Sequence, residues 1–309
     1  LFRSFESWAD FFAIQNAVFG VDADSRLFVQ GSLAFTGNLN LYMGQLAAGG
    51  TLIAEDVFLP GKWEQVMARE RANGIYLIPS KLLMLPRVFK GVNANIRTII
   101  SGSQSLGRKD AEVLKKIFPN TEITLYYGAS ELNYITYVKS ADMTEERNLI
   151  GKPFPGVRVF IQDDEMYVDN AFHVENITVP YSLKDSGRMD AQGNFYFLGR
   201  TDDIVGVRGR KVSMMKIENA LEEVAGITEA AVVLLPKEKD ADMPAEIVSA
   251  FVTVEGTDVP ENLRQQLKEK LADFEIPKRV IVLEAFPKNT SGKVDKARLK
   301  KMWIEQEPQ

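Results

Sequence analysis

Four short stretches of the chain gather side chains that could do chemistry. "LYYGASELNY" (125–134) brings an aromatic ring, a glycine, a hydroxyl and a carboxylate together at Tyr127, Gly128, Ser130 and Glu131. A ring can lie flat on a purine, a glycine lets backbone approach closely, a hydroxyl can bond a phosphate oxygen, and a carboxylate can hold Mg2+. Read alone, the stretch is equally a structural turn. "ISGSQSLG" (100–107) supplies glycine and small polar residues, Gly102 and Ser103 among them. "FPKNTSGKVDK" (286–296) sets Lys293 directly after a glycine. That is either a surface hairpin or a cation carried on a polar turn to neutralise an anionic transition state. "GRTDDIVGVRGRK" (199–211) concentrates glycine, two aspartates and four cationic side chains, either as a charged surface loop or as a joint between domains.

These residues need a scaffold, and the hydrophobic pattern describes one. Phe5, Trp8 and Phe12 recur at helical spacing, which predicts one helix stopped by Gly20. A strand follows in "RLFVQ", then a helix from Asn38 closed by Gly49 and Gly50, and a buried strand at 51–54. The pattern continues with a helix over 63–73, strands at 75–78 and 96–101, a helix over 109–118 and a strand at 123–126. Such β-α alternation implies a parallel or mixed sheet covered by helices. After Gly151 short extended segments with turns predict an antiparallel β subdomain reaching to about Gly199. Beyond Lys211 come a helix marked by Ile217, Leu221 and Val224, two apolar strands, a helix marked by Leu263, Leu267 and Leu271, a further strand and a basic last helix. The expected fold is an α/β large domain over 1–201, containing the antiparallel subdomain, followed by a small α+β domain over 202–309. "GRTDDIVGVRGRK" lies at their junction.

Composition narrows the chemistry. With 309 residues, 45% hydrophobic and 26% charged, the chain is an ordinary globular one. A net charge of −5 argues against nucleic acid as the principal partner. The chain has no cysteine, so disulfides, thiolate catalysis and cysteine-zinc sites are excluded. Its single histidine, His173, has no partner spacing that supports catalysis and is expected to be structural. No apolar run reaches the 18 or more residues that a membrane helix needs, and no signal-peptide layout opens the chain. The expected location is cytoplasmic.

In order and spacing, the stretches resemble motifs of the adenylate-forming superfamily of acyl-CoA synthetases, adenylation domains and luciferases. "YYGASE" is similar to the family's aromatic-Gly-x-Thr/Ser-Glu motif. "SLKDSGRMDAQGNFYFLGRTDDIVGVRGRKV" (182–212) is similar to its ribose-binding aspartate, Gly-Arg-x-Asp-Asp hinge and following glycine loop, and "NTSGKVDK" to its terminal Gly-Lys motif. The resemblance implies that Tyr127 and Gly128 belong to a nucleotide site, with the Tyr127 ring stacked on adenine. Gly102 and Ser103 would line the adenine slot, Ser130 would touch the α-phosphate and Glu131 would hold Mg2+. It further implies that Asp185 bonds the ribose hydroxyls with Arg200 beside it. Lys293 would bridge the attacking carboxylate and the α-phosphate, relieving the repulsion of two anions approaching in line. Asp202 would be the hinge, and the segment around Gly209 and Lys211 would meet coenzyme A. Leu183-Lys184 departs from the family's Thr-Gly before that aspartate.

The family's phosphate-binding loop has no counterpart in this chain. "LAAGGTLIA" (46–54) precedes a strand and so cannot cradle phosphate at a helix N-terminus. A chain cut ahead of Leu1 is the expectation, with a naturally reduced relative as the alternative. In amino-acid-activating relatives, the segment resembling "LAFTGNLN" (33–40) carries an aspartate after the phenylalanine; here Thr36 stands there, in the acyl pocket. A neutral hydroxyl would leave a buried ammonium unpaired, so a simple carboxylic acid is expected, fatty or aryl. The resemblance thus implies an AMP-forming acyl-CoA ligase using ATP, Mg2+ and coenzyme A. The alternatives are an enzyme that loads a carrier protein and a non-catalytic relative that only binds nucleotide or acyl ligand.

Overall fold

The computed structural model describes residues 2–201, 204–207, 210–237, 246–289 and 294–305. The first apolar run forms two helices where one was expected, α1 (Phe5–Ala9) and α2 (Phe12–Phe19). Side chains adjacent in one helix diverge by about 100°. The consecutive rings of Phe11 and Phe12 at the break are both buried. Gly20 ends α2 as expected, in the left-handed conformation with φ 66°.

The β-α alternation is present. β1 (Arg26–Gln30), α3 (Thr36–Ala47), β2 (Thr51–Glu55), α4 (Pro60–Arg69) and β3 (Gly74–Tyr76) follow in order. Two short helices come next, α5 (Pro79–Leu82) and α6 (Leu85–Val88), then β4 (Thr98–Gly102), α7 (Arg108–Ile117) and β5 (Glu122–Ala129). These five strands are parallel, in the spatial order β2-β1-β3-β4-β5. Successive side chains of β1 serve opposite faces, as a strand requires. Leu27 and Val29 join the cluster of Phe11, Phe19, Leu41 and Tyr126, while Phe28 joins that of Trp63, Met67, Leu114 and Phe118.

β6 (Asn133–Lys139) continues the sheet antiparallel to β5, and β7 (Leu149–Pro153) follows antiparallel to β6. The expected antiparallel segment comprises β8 (Arg158–Gln162), β9 (Glu165–Asp169), β10 (Tyr181–Met189) and β11 (Phe195–Arg200). It extends the same eleven-stranded order, because β11 pairs with β7 at Phe195 with Gly151 and Tyr196 with Leu149.

The chain divides into two compact units between Phe197 and Leu198, within β11. The second unit begins with a hairpin of β12 (Ile204–Val207) and β13 (Arg210–Ser213), followed by α8 (Met214–Glu222). Its main sheet has the order β14 (Ile227–Pro236), β15 (Glu246–Val254) and β16 (Arg279–Val282). α8 and α9 (Leu263–Lys268) pack in the cluster of Ile217, Leu221, Val232 and Ala250. α10 (Lys296–Glu305) packs through Leu299 with Val233 and Phe251 of the opposite face. Among the described residues, no helix is long and apolar enough to cross a membrane.

Candidate active site

Tyr127 and Gly128 lie inside β5, which sequence reasoning ended at Tyr126; Ser130 and Glu131 form the turn into β6. The register slips between Tyr127 and Gly128, bringing the hairpin backbones together. The Tyr127 ring packs 5.8 Å from that of Phe197, and its hydroxyl donates to the Asp185 carboxylate on β10. Asp185 is only 8% exposed, so this bond joins a half-buried ring to a buried acid. The aromatic and acidic residues expected at a nucleoside thus meet from separate strands.

Gly102 ends β4, in register with Tyr126 on β5. A Cβ at Gly102 would stand 2.5 Å from the Tyr126 ring, so only glycine lets that ring cross the strand. The Tyr126 hydroxyl then lies 2.8 Å from the hydroxyl of Tyr76. Burial pushes the Tyr76 phenol up to about 12 and holds those of Tyr126 and Tyr134 well above the usual range. All three remain neutral at physiological pH. Ser103 follows with φ 68°, turning the chain out of the strand.

Gly37 brings Thr36 into place. A side chain there would meet the hydroxyls of both Tyr76 and Tyr126 at 2.9 Å, so the first turn of α3 rests on the tyrosine pair. Thr36, the first residue of α3, consequently reaches Ser130, with Oγ1 and Oγ 2.8 Å apart. Farther along α3, Asn40 donates to Asn133 Oδ1 at 2.8 Å and accepts from Trp8 at 2.5 Å, tying the helix to the β5–β6 hairpin.

Arg3 also positions this site, and sequence reasoning passed over it. Its guanidinium donates to the carbonyl of Ser130 at 2.9 Å and to that of Phe172 at 2.5 Å. Burial lowers its pKa, and the nearby Glu131 charge works in the opposite direction. These two partners lie more than a hundred residues away, so a lone arginine near the start of the chain carries no signal of them. The Glu131 backbone carbonyl accepts from Val174 at 2.9 Å. His173 donates through Nδ1 to the Val174 carbonyl at 2.7 Å.

Lys184 occupies the place where the resembled motif has glycine, and its φ is 62°. The backbone at Lys184 is thus left-handed, the conformation that glycine adopts without strain. Arg200 ends β11 in the second unit. Lys211 lies on β13 opposite Gly206. Asp202, Gly209 and Lys293 lie outside the described residues.

For Mg2+, the donor set fits a shared site better than a protein cage. Among the described residues, no three His, Cys, Asp or Glu side chains gather as a metal-binding group. Magnesium is commonly held by one or two carboxylates together with substrate phosphates, and the Glu131 carboxylate on the turn is of that chemical type.

Residues 4–171 match the family model "AMP-binding enzyme", and residues 216–293 match "AMP-binding enzyme C-terminal domain". An uncharacterized acyl-CoA ligase, YhfT of Bacillus subtilis, is 26% identical over 99% of this chain and 66% of its own length. A linear gramicidin synthase of Brevibacillus parabrevis is 26% identical over 92% of this chain and 6% of its own length. Among solved structures, the amide bond synthetase McbA of Marinactinospora thermotolerans superposes with a TM-score of 0.84 at 23% identity, over 97% of this chain and 66% of that one. O-succinylbenzoate coenzyme A synthetase of Bacillus subtilis, in complex with ATP and magnesium, superposes with a TM-score of 0.82 at 19% identity, over 96% of this chain and 66% of that one. The chain spans slightly less than two thirds of the ligase YhfT, at 66% of its length.

Proposed function

Because this chain belongs to the AMP-binding enzyme family, we propose that it serves an AMP-forming ligase, which converts a carboxylic acid and ATP into an acyl-adenylate and pyrophosphate. The thiol of coenzyme A then displaces AMP to give the thioester. The observation that carries this reading is the Thr36–Ser130 hydrogen bond of 2.8 Å, which joins a residue expected at the acyl group to one expected at the α-phosphate. A reacting carboxylate and α-phosphate must meet at such a junction, and holding them there supplies much of the rate.

In this reading Tyr127 and Asp185 hold the nucleoside, Gly102 and Ser103 line its slot, and Glu131 holds Mg2+, which would neutralise phosphate charge. Ser130 donates to the α-phosphate, and Lys293 offsets the charge of the two approaching anions. Arg200 belongs beside the ribose, Asp202 acts as the hinge, and Gly209 with Lys211 receives the pantetheine arm. Thr36 provides no anion for a substrate ammonium, so the acid is aliphatic or aryl and lacks an α-amino group.

The test is ATP–pyrophosphate exchange across a carboxylic-acid panel, followed by thioester formation with coenzyme A and with carrier proteins. Exchange that depends on Lys293 and a thioester with coenzyme A support the proposal. Absence of exchange with every acid would overturn it, and a thioester found only on a carrier protein would reassign the acceptor. Asp202→Pro is expected to impair the thioester step more than adenylation.

A further inference from the structure

Lys81 stands on α5, where the chain leaves β3 at the C-terminal edge of the parallel strands. Its ammonium donates to the backbone carbonyl of Gln30 at 3.3 Å and also to the side-chain oxygen of Gln30. It lies 5.9 Å from the centroid of the Phe58 ring. The side chain is half-buried, and burial lowers its pKa with no opposing charge. Glu55 ends the adjoining β2 and Asp56 follows it, yet among the described residues neither forms an ion pair with Lys81. An ammonium has three donors, and Gln30 accepts from two of them.

The loops that follow β1 and β2 at the same strand ends carry exposed apolar side chains, of which Phe58 is the one beside the ammonium. Leu33 and Phe35 from the loop after β1, and Phe58 and Leu59 from the loop after β2, are between 44% and 50% exposed. A cation beside apolar surface suits an amphiphilic anion, because each partner meets its own chemistry there. Two links tie Lys81 to the candidate active site. The Ser80 N–H beside it donates to Gln104 Oε1 at 2.9 Å, one residue after Ser103. Its acceptor Gln30 ends β1, and the loop that follows leads to Thr36 at the start of α3.

We infer that Lys81 receives a second anionic group, a carboxylate at the far end of the acid that this site activates, so that the substrate is a diacid with an apolar middle. The inference rests on the proposed activation of a carboxylic acid. A structural role for the ammonium, closing the Gln30 carbonyl at the end of β1, would create no preference among acids.

Calorimetric titration with matched pairs, hexanoate against adipate and benzoate against terephthalate, separates the two. The unmodified chain should bind the diacid of a pair about tenfold more tightly than its mono-acid, the lower end for a charge-assisted hydrogen bond. In Lys81→Gln the ratio should fall to about one, and Lys81→Arg should restore part of it. Melting temperatures of both variants establish that they fold. Equal binding within both pairs by the unmodified chain, or a preference that survives Lys81→Gln, would overturn the inference. So would a loss in Lys81→Gln that falls on ATP instead of the diacid. Adipate binding through Lys81 without adenylate formation would overturn the proposed reaction alone, and adenylate formation without diacid preference would overturn this inference alone.

Discussion

The hydroxyl of Tyr127 donates a hydrogen bond to the carboxylate of Asp185, 58 positions away in sequence. One bond therefore couples the ring expected against a purine to the acid expected at a ribose. Tyr127→Phe keeps the ring and removes a donor from a buried carboxylate, a change that costs about 1–3 kcal/mol. Urea unfolding should register that loss, while AMP affinity should fall less than in Tyr127→Ala. Equal loss of AMP binding in the two variants would argue that the ring does not contact the base.

Thr36 decides between acids and amino acids in the proposed reaction. Pyrophosphate exchange should favour a carboxylic acid over the α-amino acid of the same skeleton by about tenfold or more, since an unpaired buried ammonium is costly. Thr36→Asp should narrow or reverse that ratio. An unchanged ratio would remove Thr36 from the acyl pocket.

Two glycines give opposite signs. A Cβ at Gly128 would stand 2.5 Å from the Asn133 carbonyl oxygen, a backbone atom that cannot turn aside, so Gly128→Ala should destabilise by about 1–3 kcal/mol. Gly61, in the first turn of α4, has nothing within 4 Å of its Cβ position. Gly61→Ala should leave stability unchanged or raise it by up to about 1 kcal/mol. Chemical denaturation of both variants provides the comparison.

Lys184 holds a left-handed backbone at φ 62°. That conformation costs a side chain about 1–2 kcal/mol. Lys184→Gly should therefore stabilise by about 0.5–1 kcal/mol, even though it gives up the exposed 3.2 Å ion pair with Glu165. Lys184→Ala loses the same pair but keeps the Cβ, so it should bring no gain. Thermal denaturation of the pair separates strain from charge.

The tyrosine pair sets an alkaline limit. Burial raises the Tyr76 pKa from 10.0 to about 12, so the folded state holds its proton more tightly than the unfolded state does. This stability is fully present below about pH 10 and is lost as pH rises toward 12. Denaturation measured across that window should show falling stability, with a shallower slope in Tyr76→Phe. An equal slope in that variant would assign the effect to other groups.

The α/β layout, the small α+β unit that follows and the stop at Gly20 are legible in the sequence, because each is written in local periodicity or in a residue's own torsional range. Tyr127, Ser130, Glu131 and Asp185 are named there as candidates, since their types and order carry the family resemblance. Folding in three dimensions joined Tyr127 to Asp185 and Thr36 to Ser130, and set Arg3 across the Ser130 turn. It also split the first helix, carried the antiparallel strands into the main sheet, and set Lys184 in a left-handed conformation. The reason is physical: a periodic pattern reports which face of an element is apolar, whereas distant partners are chosen when closing the sheet brings their strands and loops to a common edge.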